Sequence, residues 1–293
     1  PENILCTTFT RRAAREMCDR IRRRLACFEE LSSHSRPEVL LKKLDESKHW
    51  ITTFHAACHT ILSDGLNNQG KPAISYLDGH YGDGFELIGR ERRLRLVEEL
   101  ITNSNIHPQS VLNTINHWSV DLVSAVEAQN EADTDRELVA ARVYQKLNRT
   151  KREKGLVDFF DLIHHTGQLI RSNSSFRRQI REQFQYVMID EFQDTNPAQQ
   201  LIVNKLTESD GRLYAVGDRK QAIYGWRGAT TEMINNFGEF YPGSTSIDMS
   251  RNFRSTALII FLANEVIDGF GNGRAELEPP SGTTHGLTYG ESP

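Results

Sequence analysis

The sequence predicts an α/β protein organised on a parallel β-sheet, interrupted by an inserted helical subdomain. Short apolar runs with β-branched residues alternate with longer helical stripes, the order that strand–helix–strand crossovers produce. One run, Tyr186-Val187-Met188-Ile189, ends abruptly in Asp190, Glu191 and, after Phe192-Gln193, Asp194. Open parallel sheets bind ligands beyond the carboxyl ends of their strands, so this carboxylate group is both a strand terminus and a candidate site. From about residue 64 to 155 the pattern turns polar and helical, with Gly- and Asn-rich joints such as "DGLNNQGKP" and "DGHYGDG".

Each element follows from its pattern. Ile4-Leu5-Cys6-Thr7-Thr8-Phe9 reads as a strand running into "TRRAAREMCDRIRRRL", where Ala13, Ala14, Met17, Ile21 and Leu25 make a helical stripe. "HWITTFHAACHTIL" reads as a second strand turning into a helix. After Gly155, "LVDFFDLIHHTGQLI" places Leu156, Phe159, Phe160, Ile163 and Ile170 at helical spacing. The strand at 186–189 follows, and Asp194-Thr195-Asn196-Pro197 offers a cap and first-turn proline for the helix "PAQQLIVNKLTE". "RLYAVGD" and "STSIDMS" are further strand candidates, and "RNFRSTALIIFLANEVI" reads as a loop and helix. The final "GFGNGRAELEPPSGTTHGLTYGESP" is turn-rich and aperiodic, expected to be loop or disordered. Pro1 in place of methionine, directly before a strand, suggests a chain cut from something longer.

Composition narrows the function classes. The 293 residues carry 35 Lys+Arg against 39 Asp+Glu, a net charge of -4, so nucleic-acid binding requires a local groove rather than general positive charge. The four cysteines, Cys6, Cys18, Cys27 and Cys58, include no C-x-x-C pair and fit free thiols in a reducing cytoplasm. No apolar stretch approaches the roughly 18 residues that span a bilayer, and no signal peptide is visible.

Chemistry concentrates in two stretches. Clustered acids at 190, 191 and 194 repel one another unless a cation or proton lies between them. In "AVGDRKQAIYGWRGA", residues 215–229, a strand ends at Gly217-Asp218 and a loop then offers Gln221, Tyr224, Trp226 and Arg227. A neutral amide near the acids can orient a water or sense a terminal phosphate. Aromatic faces beside a guanidinium suit stacking on single-stranded bases, at about 1–3 kcal/mol per base, although a packed aromatic corner is the commoner fate of Trp and Tyr. His55, Cys58 and His59 share a helical face, but no fourth ligand accompanies them and packing is the simpler reading. The basic "RRAAREMCDRIRRRL" carries Glu16 and Asp19 at spacings that suit a solvated helix face, with its first residues available for a phosphate contact.

Taken in order, "TTFTRRAAREM", "TFHAACHTIL", "VDFFDLI", "VMIDEFQDTNPAQ", "VGDRKQAIYGWRGA" and "SRNFRS" resemble the motifs of UvrD/Rep-type superfamily 1 DNA helicases. The resemblance covers nearly the whole chain and is weak only from about 64 to 150. It implies a RecA-like, P-loop NTPase-type sheet in a first domain, residues 1–63 and 156–245, with the helical subdomain at 64–155 and the start of a second RecA-like domain at 246–293. It also implies an ATP- and Mg²⁺-dependent 3′→5′ motor on single-stranded DNA and single/double-strand junctions, serving repair or recombination. By motif, Asp190 resembles the magnesium ligand and Glu191 the base that activates the attacking water. Gln221 resembles the γ-phosphate sensor, and Arg254 a charge-stabilising arginine of the second domain. Phe9, Thr10, His55, Phe159, Tyr224, Trp226 and Arg227 match positions along the DNA path. Phe159 also belongs to its helix's apolar stripe, and His55 could equally be a local cap.

The sequence departs from the family in lacking the phosphate-cradling G-x-x-x-x-G-K-[ST] loop and the late motifs of the second domain. "GLNNQGKP", from Gly65 to Pro72, has the glycine and lysine spacing, but it follows a helix and ends in Pro72 instead of a hydroxyl. This chain alone is therefore expected to bind nucleotide poorly and unwind nothing. Other readings are the motor of a helicase–nuclease, since "GDRKQAIY" also resembles that branch, a two-metal nuclease built on Asp190, Glu191 and Asp194, and a non-catalytic remnant that binds single-stranded DNA.

Overall fold

The computed structural model describes residues 2–27, 39, 41, 42, 44, 49–64, 72–77, 81, 84–101, 106–208, 212–225, 229 and 231–269. The chain divides into two compact units, residues 1–241 and 242–293.

In the first unit, β1 (Ile4–Thr8) leads into α1 (Arg11–Cys27), and β2 (Trp50–Thr53) runs directly into α2 (Phe54–Asp64). A short 3₁₀ turn, Ala73–Tyr76, precedes the helical insertion. This comprises β3 (Glu86–Leu87), α3 (Arg90–Leu100), α4 (Pro108–Val120), α5 (Ala125–Glu131) and α6 (Asp135–Glu153). The chain returns through β4 (Leu156–Val157), α7 (Phe159–Ser172) and α8 (Ser174–Gln183) to β5 (Tyr186–Ile189), α9 (Pro197–Thr207) and β6 (Leu213–Ala215). Two single-turn helices, α10 (Glu232–Asn235) and α11 (Phe237–Phe240), complete the unit.

The main sheet has the order β2-β1-β5-β6, and every pairing is parallel. The predicted α/β architecture with a parallel sheet is therefore observed. All four strands point the same way, so residues following Thr8, Thr53, Ile189 and Ala215 gather along one edge. Val187 and Ile189 are buried beneath α7 and α9 with Leu162, Ile163, Ile202 and Val203. The opposite face packs Cys6, Ile51 and partly buried Met188 against α1 through Cys18, Met17 and Ile21. A separate core fills the insertion, with Ile115, Ala141, Leu147 and Leu156 at its centre, whereas Ala73, Ile74, Leu77 and Tyr81 join the core beneath the sheet.

Capping explains where helices begin. Thr134 and Asp158 each form a reciprocal box with the acid three residues on, starting α6 and α7. Asn196 does the same with Gln199 ahead of Pro197, so the cap expected from the sequence is Asn196. Asp194 instead closes a 3₁₀ turn, Phe192–Asp194.

Two sequence expectations are corrected. Leu156 is not helical: Leu156 and Val157 pair with Glu86 and Leu87 as a two-residue parallel ladder, and the helix starts at Phe159. The periodic stripe overran because both residues are buried, as helical core residues would be. Residues 244–250 form no strand: Ile247 and Met249 alternate as in a strand but are 75% exposed and carry no ladder. In the second unit, "RNFRS" is irregular and α12 spans Ala257–Gly269, as the pattern predicts. The turn-rich tail beyond residue 269 lies outside the described residues, as do Gly65 to Lys71 of the decoy loop.

Candidate nucleotide and DNA site

The carboxylates sit at the tip of β5, between β1 and β6. Asp190 N donates to Thr7 O at 2.9 Å and Ile189 O accepts from Val216 N at 2.8 Å, so the ladder holds up to the first acid. The chain then turns sharply at Glu191, whose φ of 55° and ψ of 50° lie in the left-handed region. A non-glycine residue there costs about 1–2 kcal/mol, and the surroundings enforce it. Phe192 is buried against Phe237, ring centroids 5.6 Å apart, and its N–H donates to Val216 O at 2.9 Å. The turn thus pulls Phe192 into the core and leaves both acids at the sheet edge.

Gln193, which the sequence reading did not single out, ties this turn to the next strand. Its Nε2 donates to Glu191 Oε2 at 2.7 Å, and its Oε1 accepts from Asp218 N at 3.0 Å. Only 1% of the residue is exposed. Gly217 is needed beside it, because a Cβ there would meet Gln193 Oε1 at 2.6 Å and Ile234 Cδ1 at 2.8 Å. Asp218 then organises the following loop: Oδ1 accepts from Lys220 N at 2.9 Å and Oδ2 from Gln221 Nε2 at 2.8 Å. Gln221 is thereby held, exposed, by the same strand tip that Gln193 joins to Glu191.

The electrostatics match this crowding. Burial, then the neighbouring Glu191 charge, raises the Asp190 carboxyl above its ordinary value. Asp194 is raised by the same two causes, and its buried Oδ1 has no hydrogen-bond partner among the described residues. Behind Asp190, burial and that carboxylate push the Cys6 thiol up to about 11. A divalent cation would relieve this repulsion, and Mg²⁺ characteristically takes one or two carboxylates plus phosphate oxygens; Asp190 fits that role. Among the described residues no three His, Cys, Asp or Glu side chains gather as a metal-ligand set. The acids 190, 191 and 194 thus lack the cluster that a two-metal nuclease needs, and His55, Cys58 and His59 do not form one either.

Two aromatic pairs flank the acids on the same sheet edge. Phe9, just after β1, stacks on Tyr224 with centroids 4.6 Å apart and an interplanar angle of 28°. His55, at the start of α2, meets Phe159 edge-on at 5.9 Å. Phe159 is 44% exposed, so it lies off the buried stripe its helical spacing suggested. Thr10 caps α1, its Oγ1 accepting from Ala13 N at 3.0 Å. His55 is not the cap of α2; Thr53 Oγ1 takes that role, accepting from Ala56 N at 3.3 Å. Trp226 and Arg227 lie outside the described residues. In the second unit, Arg254 is exposed, and its backbone N–H donates to Asn252 Oδ1 at 2.8 Å.

Comparison with known proteins bears on this arrangement. The profile of the UvrD/REP helicase N-terminal domain matches residues 1–242. The ATP-dependent DNA helicase PcrA of Staphylococcus aureus is 31% identical over 272 residues, covering 91% of this chain and 34% of that protein. PcrA of Leuconostoc citreum is 33% identical over 273 residues, with 92% and 33% covered. PcrA of Staphylococcus epidermidis is 31% identical over 272 residues. The chain spans about a third of the length of these curated relatives.

Proposed function

Because the chain belongs to the UvrD/REP helicase family, we propose that it supplies the first motor domain of an ATP-dependent DNA helicase. The motor moves 3′→5′ on single-stranded DNA and serves repair or recombination. One observation carries the reading: the parallel sheet brings Asp190 and Glu191 after β5 and Asp218 and Gln221 after β6 to one edge, joined through Gln193. The relatives' printed name, ATP-dependent DNA helicase, supports the same chemistry.

When bound, Mg²⁺–ATP supplies the reactive phosphoryl group and the cation that neutralises charge around it. Asp190 would hold the cation, and Glu191, oriented by Gln193, would accept the proton of the attacking water. Gln221 reports the terminal phosphate to the loop carrying Tyr224. By motif alone, Arg254 would belong to a second motor domain beginning near residue 246, with a charge-stabilising role of its own. Phe9 with Tyr224 and His55 with Phe159 form surfaces on which bases stack, with Thr10 at the start of α1 beside Phe9. By motif alone, Trp226 and Arg227 are further DNA contacts, and single/double-strand junctions are the expected substrate. The described free thiols Cys6, Cys18 and Cys58 suit a reducing cytoplasm, and no described helix is long and apolar enough to cross a membrane.

The 293 residues contain no G-x-x-x-x-G-K-[ST] loop, so nucleotide affinity and unwinding by this chain alone are low. Directionality is tested on the protein extended to the length of its relatives, using oligonucleotides blocked by streptavidin at one end. Displacement from the 5′ end that requires ATP is expected. Displacement from the 3′ end alone, or none, overturns the reading.

A further inference from the structure

A second charged feature lies at the other end of the sheet. A groove of about 440 Å³ is lined by Arg177, Arg178 and Arg181 of α8, by Arg212 and Gln185, and by Ser174 at the helix start. Gln185 immediately precedes β5 and Arg212 immediately precedes β6. The groove therefore marks the amino edge of the sheet, a strand's length, roughly 13 Å, from the edge that carries Asp190.

Four guanidinium groups face one carboxylate, Glu182, among the lining residues. This concentration occurs on a chain whose net charge is -4. Arg177 is fixed, donating from one terminal nitrogen to Ile170 O at 3.0 Å and Arg171 O at 3.1 Å at the end of α7. Glu208, paired with Lys205 at 2.9 Å, also feels Arg181 and Arg177 and provides a weak counter-field. Arg178 and Arg212 are exposed.

We propose that this groove binds the phosphate backbone of duplex DNA, at a site separate from the single-strand path. Planar guanidinium forks suit phosphate oxygens bidentately. Among the described residues the lining offers arginine, serine, glutamine and one glutamate but no aromatic side chain, whereas unpaired bases demand stacking surfaces. Contacts confined to phosphates fix orientation without reading sequence, which suits a duplex whose bases are already paired. The inference depends on the DNA-helicase reading only for the identity of the polyanion.

The test uses the 293-residue chain in fluorescence anisotropy with a labelled blunt duplex and a labelled oligothymidylate, across a salt series. The variant Arg178→Ala/Arg212→Ala is expected to weaken duplex binding about five- to tenfold and to lower the salt slope by between one and two, at about 0.9 per phosphate contact. Oligothymidylate binding stays within about twofold. Arg178→Lys/Arg212→Lys restores most of the slope, because charge is kept while the fork is lost. Phe9→Ala/Tyr224→Ala shows the reverse pattern, losing oligothymidylate and keeping duplex, so failure of the single-strand reading is scored separately. Unchanged duplex affinity and slope overturn the proposal. Equal losses on both ligands do so too, as does a polyglutamate peptide that displaces duplex at matched charge, which would assign the groove to an acidic protein.

Discussion

At the scale of the residue, the site depends on placing two like charges side by side and then constraining both. Asp190 has a folded pKa above its unfolded value, through burial and then Glu191. As pH rises, the unfolded carboxyl ionises first, near about 3.9, so stability falls from there until the folded group ionises. Asp190→Asn should therefore raise the urea midpoint of the unliganded chain at neutral pH and leave it unchanged below about pH 3, where both states are protonated. A lower midpoint for the variant at neutral pH would contradict this. On the proposed reading, Gln193 positions Glu191 through their hydrogen bond. Gln193→Leu leaves Asp218 N–H and Glu191 Oε2 without their partner and is expected to cost about 1–3 kcal/mol. In the full-length relative-sized protein it should lower kcat for ATP with little change in KM; a KM effect alone would count against a positioning role. The sequence made the acids visible, because carboxylates after an apolar strand are unusual. Gln193 was hidden, because its Asp218 partner lies 25 residues away and a buried amide has no periodic signature.

At the scale of the element, the joint between the insertion and α7 buries three charged side chains, Arg93, Lys151 and Asp158. Asp158 caps α7 and lies 2.9 Å from both Lys151 Nζ and Arg93 Nε, the latter an ion pair without hydrogen-bond alignment. Lys151 also reaches Asp161 at 2.8 Å, and Arg93 lies over the Phe160 ring. Burial would raise the Asp158 carboxyl, but Lys151 and Arg93 outweigh it and hold the group well below the carboxylate range. Asp158→Asn keeps an amide oxygen for the cap while removing the charge, and should cost about 3–5 kcal/mol in chemical denaturation. Next to this joint, burial pulls His165 down to about 4, with Tyr81 Oη 3.0 Å from its Nε2. The unfolded imidazole takes its proton near about 6.5, so stability is full above that pH and declines as pH falls toward about 4. Below that window, protonation of Asp158 removes a second contribution. His165→Gln should flatten the first decline and spare the second; a profile identical to the parent would contradict the assignment. Helices and the four main strands were legible because their periods are long enough to read. The two-residue β3–β4 ladder was not, since so short a pairing leaves no pattern, and residues 244–250 misled because alternation of Ile247 and Met249 does not guarantee a neighbouring strand.

At the scale of the whole molecule, the order β2-β1-β5-β6 with all strands parallel brings motifs scattered over the chain to one edge, the proposed site. Residues 9, 55, 190, 191, 218, 221 and 224 share it because each follows the carboxyl end of a strand. That convergence follows from the parallel pairing of the strands and was legible as soon as strands were seen to alternate with helices. The lateral order of the strands was not, because periodicity is blind to which strands become neighbours. The most direct measurement is single-stranded-DNA-stimulated ATP hydrolysis, comparing this chain, the protein extended to the length of its relatives, and the extended Glu191→Gln variant. Stimulated hydrolysis by the extended protein alone is expected, reduced roughly 10²–10⁴-fold by Glu191→Gln, with DNA binding intact. Absence of hydrolysis by the extended protein, with DNA binding retained, or full activity in the Glu191→Gln variant, would contradict it.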